Sequence, residues 1–130
     1  MSNKKGTASE REFVNMSCTD TTHCERIAGS GNRLNAVCDA VLLTKDFTFL
    51  VEIKTTKEKV FYVRGHVKEQ LQELQKICLK VGKVPILAVK FNYIGWYYVF
   101  VSDEMLSVLK PENMKAYDPL RIKNGGVLYA

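Results

Sequence analysis

The segment Phe47–Lys57, FTFLVEIKTTK, has the length and β-branched content of a strand, yet it carries an acid at Glu52 and a base at Lys54. Side chains on a strand alternate between two faces, so Glu52 and Lys54 project together while Phe49, Val51 and Ile53 point the other way. Just upstream, AVCDAVLL (36–43) is also apolar and β-branched, and the TKD that separates the two runs reads as the turn of a hairpin. Counting back from that turn sets Asp39 opposite or diagonal to Glu52, within reach of a cross-strand neighbour. An Asp in so apolar a setting is costly unless something satisfies it.

HCERIAGSG (23–31) is expected to be a strand running into a loop, with GSGNRLN (29–35) as a flexible connection, and further strands are expected at VFYV (60–63), and at VPILAVKF (84–91) and GWYYVFV (95–101) around the turn NYIG. Between them the period changes. Val67, Leu71, Leu74, Ile77, Cys78 and Val81 recur at helical spacing, with Lys68, Glu69, Gln72, Glu73, Lys76 and Lys80 left for water and Gly82 placed as a C-cap. A first, short helix is expected from Ser9 as N-cap, with Glu10 and Glu12 in its first turn, and another short one over SDEMLSVL (102–109). The opening residues 1–8 read as a flexible basic arm. The order predicts one α/β domain over 1–130, a central mixed β-sheet flanked by helices.

A chain of 130 residues with 46% hydrophobic side chains is long enough to bury a core. Its 19 Lys and Arg against 14 Asp and Glu leave a net charge of +5, which favours a polyanionic partner such as nucleic acid. Four cysteines at irregular spacing, with no signal peptide before them, read as reduced thiols of a cytoplasmic protein. Cys18, His23 and Cys24 are possible zinc ligands in principle, but lack the paired close spacing of a structural site. No apolar run approaches the ~20 residues of a membrane helix.

The chemistry sits with Asp39, Glu52 and Lys54. Two adjacent carboxylates repel unless a cation lies between them, and such hard oxygen ligands suit Mg²⁺ or Mn²⁺, with the Ile53 carbonyl as a further oxygen. Lys54 would then orient a water or stabilise charge building on a phosphate. The residues alone leave a second reading open, an ordinary salt bridge on a solvated sheet face.

Taken in order, KGTASERE, RIAGS, CDAVLL, VEIKTTK, FYVRGH and PILAVKFNYIGWYYV resemble the archaeal Holliday-junction resolvases of the PD-(D/E)xK nuclease superfamily, from about Lys5 to Ser102. The resemblance implies a restriction-endonuclease-like fold and a Mg²⁺-dependent, structure-selective endonuclease. It also implies a homodimer that resolves a four-way DNA junction by paired symmetric hydrolysis. Position by position, Glu10 matches the family's first acidic residue, beside the metal, Asp39 and Glu52 match its metal-binding carboxylates, and Lys54 its catalytic lysine. Arg11 and Arg26 match basic residues that would grip phosphates, for which arginine's two-pronged hydrogen bonding suits them. Ser30 matches a serine at the active-site edge. The chain departs from the family at Cys38, where many members have Pro, at Glu25, where an apolar residue is common, and in a longer loop that adds Arg33 as a phosphate contact. Another PD-(D/E)xK nuclease, or a silent junction-binding module, would share much of this pattern.

Lys57, Lys59, Arg64, His66 and Lys68 follow the catalytic strand and are placed to track DNA, with Gln70 a weaker candidate. Phe91, Tyr93, Ile94, Trp96, Tyr97 and Tyr98 exceed what one sheet face needs. A domain this small is not expected to bury both faces of these strands, so the excess is read as a partner surface, in the family the homodimer.

Overall fold

The computed structural model of the chain describes residues 3–27 and 37–123. In chain order the elements are α1 (Asn3–Ser17), β1 (His23–Arg26), β2 (Ala40–Leu43), β3 (Thr48–Thr56), β4 (Phe61–Tyr62), α2 (His66–Val81), β5 (Val84–Phe91), β6 (Gly95–Phe100), β7 (Val108–Leu109), a 3-10 turn (Pro111–Asn113) and β8 (Lys115–Ala116). The opening stretch becomes β3, third in a six-stranded sheet ordered β1-β2-β3-β5-β6-β8. It pairs antiparallel with β2, with Ala40 opposite Val51, and parallel with β5, with Glu52 opposite Leu87. A parallel pair needs a long crossover, and α2 provides it.

Two layers cover the sheet. On one face α1 drives Phe13 into a core with Leu42, Phe49, Val51, Ile53, Ile86 and Ala88. On the other, Leu71 of α2 packs with Leu87, Val89 and Phe91 of β5, while Leu74 and Cys78 of α2 pack with Cys38 and with Leu50 of β3. The α2 stripe is the one the heptad-like spacing picks out. Its end is also as expected, Gly82 standing at φ 71° with its N–H bonded to the Cys78 carbonyl.

Four expectations change. Helix α1 starts at Asn3, so Ser9 is a buried mid-helix residue rather than a cap, and Glu10 and Glu12 lie beyond the first turn. SDEMLSVL is not a helix. Ser102 does cap, accepting Glu104 N–H at 3.3 Å, but only a turn follows, because Val63 N–H donates to Ser107 O at 2.8 Å and β7 pairs with β4. Leu109, 1% exposed, anchors that pairing in the core, so tertiary contact overrides the local helix signal. β5 is buried on both faces by two separate cores, and of the aromatic-rich stretch only Tyr93 and Ile94 are strongly exposed. Of the residues read as a partner surface, Phe91 and Tyr98 are therefore core, Trp96 and Tyr97 are half-buried, and Tyr93 and Ile94 are exposed. Finally, the segment after β7 was not foreseen as structured, yet Tyr117 stacks on Phe13 at 4.7 Å and its hydroxyl meets Ser17 Oγ at 2.7 Å. Ser30 and Arg33, with the loop around them and the Gly-Gly tail, lie outside the described residues.

Phe13 is fully buried and its ring touches both Trp96, at 5.4 Å, and Tyr117. Phe13→Ala is expected to cost about 3–5 kcal/mol in urea unfolding. A loss below about 1 kcal/mol would mean that α1 is not an integral layer.

Candidate active site

Asp39 immediately precedes β2 and is held by backbone on both sides of Glu52. Its N–H donates to Val51 O and its Oδ2 accepts from Ile53 N–H, each at 2.9 Å. Its carbonyl turns the other way and takes Ile27 N–H at 2.9 Å, tying the site to the end of β1. The two carboxylates are thereby kept adjacent. The Ile53 N–H orients Asp39 within the site.

Glu52 is 7% exposed because β2 and β5 flank its strand and its side chain shares the α2 face with Leu50. Burial, then the charge of Asp39, push its carboxyl up to about 8 from the ordinary 4.5, against the opposing pull of Lys54. Lys54 Nζ lies 3.4 Å from Glu52 Oε2 and donates to Gln70 Oε1 of α2 at 3.1 Å. An ammonium gripped by two elements has a fixed direction. Gln70 carries more weight than the sequence assigned it, and a signal was there. It lies three residues after Val67 and four before Leu74, a polar side chain on the apolar stripe.

Two further pairs involve α1. Arg26 Nε donates to Glu10 Oε1 at 2.8 Å, both side chains being largely shielded. Arg26 pairs with Ala40 across the strands and so shares the α1 face, opposite to that of Glu52. Lys90 of β5 is ion-paired with Glu12, a contact the sequence did not reveal. Among the described residues no set of three or more His, Cys, Asp or Glu side chains is grouped as a metal cluster. The structure thus brings Asp39, Glu52 and Lys54 together and engages Glu10 with Arg26. Arg11 is exposed on α1, Lys57 and Lys59 are exposed on the turn after β3, and Arg64 lies 4.5 Å over the exposed Tyr62 ring. All four cysteines are free, and Cys24 turns into the core while His23 faces out to Glu25.

The family model of archaeal Holliday junction resolvases (Hjc) matches residues 1–117. The chain belongs to this family. A junction-resolving nuclease is the activity that membership carries. Among solved structures, the chain is similar to Archaeoglobus fulgidus Hjc, a Holliday junction resolvase from an archaeal hyperthermophile. The TM-score is 0.66 at 20% identity, over 82% of this chain and 89% of that one. The mixed sheet with its two helices is accordingly the family's fold, with Glu52 in the middle of β3, Lys54 two residues on, and Asp39 directly ahead of β2.

Between pH 4.5 and about 8 the folded protein keeps a proton on Glu52 that the unfolded chain has released, so raising the pH through that window removes stability. Glu52→Gln should abolish the penalty, Lys54 keeping its bond to Gln70. In chelator, the variant is expected to melt at least about 5 °C above the parent at pH 9, with the gap closing towards pH 5. A gap independent of pH would refute the buried, charge-opposed carboxylate.

Proposed function

We propose that the chain hydrolyses phosphodiester bonds of four-way DNA junctions with Mg²⁺, or Mn²⁺ in its place, held by Asp39 and Glu52. As a homodimer it nicks two opposed strands symmetrically. The observation that carries this reading is the pair of adjacent carboxylates, one of them buried, facing an oriented lysine. A divalent cation would relieve both penalties on Glu52, desolvation and the charge of Asp39, and two hard oxygen donors suit it, so the residues fit the ion. When bound, the metal supplies Lewis acidity and a more acidic water.

The chain's own groups do the rest. Ile53 N–H fixes the Asp39 carboxylate by way of Oδ2. Lys54, steadied by Gln70 and Glu52, presents its positive charge where negative charge grows on the scissile phosphate, an interaction needing no reorganisation during the reaction. Arg26, braced by Glu10, is a fixed guanidinium for a neighbouring phosphate, and Glu10 acts by setting it. Arg11, Lys57, Lys59 and Arg64 are exposed cations that follow the backbone of an arm, with Arg33 as a further phosphate contact and Ser30 as the serine of the family's active-site edge. One such site per chain cuts one strand. Two opposed cuts in a nearly two-fold junction call for a two-fold pair of chains.

The test incubates the protein with a labelled four-way junction and with linear duplex of the same sequence, with Mg²⁺ and with chelator. Paired symmetric nicks in the junction alone, lost in chelator and reduced at least about 100-fold by Asp39→Asn, Glu52→Gln or Lys54→Ala, are expected. Gln70→Ala should fall between, about 10-fold down, with junction binding intact. Equal cutting of duplex would indicate a less selective nuclease of the superfamily, and tight binding without nicks a silent module. Either result overturns the proposal.

Removing Lys59 or Arg64 should weaken binding and flatten the slope of log K against log salt by about 0.9 per contact. Unchanged slopes would remove these residues from the DNA path.

A further inference from the structure

The turn joining β5 to β6 holds a bulky ring where the backbone disfavours one. Among the described residues Tyr93 is the non-glycine residue with positive φ, at 67°. It occupies the third position of a turn closed by Ile94 N–H donating to Phe91 O at 2.9 Å, a place usually filled by glycine or asparagine. A second bond, Asn92 N–H to Thr56 O at 3.0 Å, fastens the turn to the end of β3. The Tyr93 side chain is wholly exposed, at 104%, and Ile94 beside it is 45% exposed. Backbone strain is thus spent on a ring that packs against nothing in the free protein, the kind of outlier that marks a contact made elsewhere.

Its position narrows what that contact is. β3 and β5 run parallel with Lys54 opposite Val89 and Thr56 opposite Phe91, so Tyr93 stands at the same rim as the catalytic lysine. The offset along the strands is at most ~13 Å, four residues of strand rise. At this rim, on the α1 face and so across the sheet from Lys54, lies a groove lined by Ser9 and Glu12 of α1 and by Thr55, Lys57, Lys90 and Asn92. The groove carries Lys57 and Lys90, the latter ion-paired with Glu12, and Tyr93 follows the groove residue Asn92; cations on phosphates and a ring on a base are the chemistry that holds an unpaired stretch of nucleic acid.

We infer that Tyr93 stacks on a nucleobase exposed at the branch point of an open four-way junction, while the groove beside it takes the adjoining phosphates. The inference rests on the junction-cleaving reading above. In linear duplex each base face is covered by its neighbours and reaching one costs unstacking, so the contact favours junction over duplex.

The experiment uses the Asp39→Asn protein, so that binding is read without cleavage, and junctions carrying 2-aminopurine either at the branch point or in mid-arm. Tyr93→Ala is expected to weaken junction binding about 10-fold or more and to abolish a fluorescence change confined to the branch-point probe. Tyr93→Phe should retain both, and duplex binding should not move. Tyr93→Gly should melt no lower than the parent, yet bind the junction as weakly as Tyr93→Ala, which a residue kept for stability would not do. Unaltered junction affinity and probe signal in Tyr93→Ala would overturn the inference, as would conversion of a dimer to monomer, which would make the ring a subunit contact. If the unsubstituted protein neither binds nor cuts junctions, the functional reading itself has failed. If it cuts them and the Tyr93 variants behave like the parent, only the stacking contact has.

Discussion

Glu52 is a carboxylate on the central strand of a sheet, nearly buried and set against a second carboxylate, and most of the molecule's arrangement serves to keep it there. The flanking strands β2 and β5 lock its backbone in place, and helix α2 closes over its face. Asp39, bonded to the main chain on either side of it, cannot swing away to relieve the repulsion. Only Lys54 opposes the penalty, and Lys54 is itself shared with Gln70. An uncompensated pair of this kind is unfavourable for the free protein, and a sheet with strong packing on both faces is what tolerates it.

That tolerance comes from cores that the amino-acid pattern showed only in part. Alternation in FTFLVEIKTT separates the faces of β3 correctly, because each side of this strand differs in chemistry. VPILAVKF offers no alternation, since both its faces are apolar and both are buried, and the pattern of such a strand does not distinguish core from interface. The expectation that both faces are not core fails for β5 for that reason, while Tyr93 and Ile94 of the aromatic excess remain exposed. SDEMLSVL failed differently. Its cap is real, but pairing with β4, 46 to 48 residues earlier in the chain, decides its shape, and Leu109 supplies the driving burial.

The site divides along the same line. Asp39, Glu52 and Lys54 are legible because hairpin register and strand alternation are short-range rules, and they place all three side chains without knowledge of the fold. Gln70, Glu12 and Lys90 depend on how α2 and α1 dock against the sheet. Spacing along a helix says which face a residue occupies, not what waits opposite. Arg26 shows both sides of this. Its type marks it as a phosphate grip, but its partner Glu10, sixteen residues away on α1, becomes visible only once the helix is packed.

The parallel pairing of β3 and β5 also decides which side chains gather at one rim. Parallel strands send their carboxyl ends to one rim, and in open α/β sheets that rim is where ligands collect, because the connecting loops diverge there and leave backbone and side chains accessible. Here it gathers Lys54 and Lys57 from one strand and Lys90, Asn92 and Tyr93 from the next. An antiparallel arrangement of the same two segments would put the Tyr93 turn at the opposite end from Lys54. With α2 as the crossover, Lys54, the cations Lys57 and Lys90 and the exposed Tyr93 ring share one edge, so under the proposed function contact along that edge would couple cleavage to the local shape of the DNA.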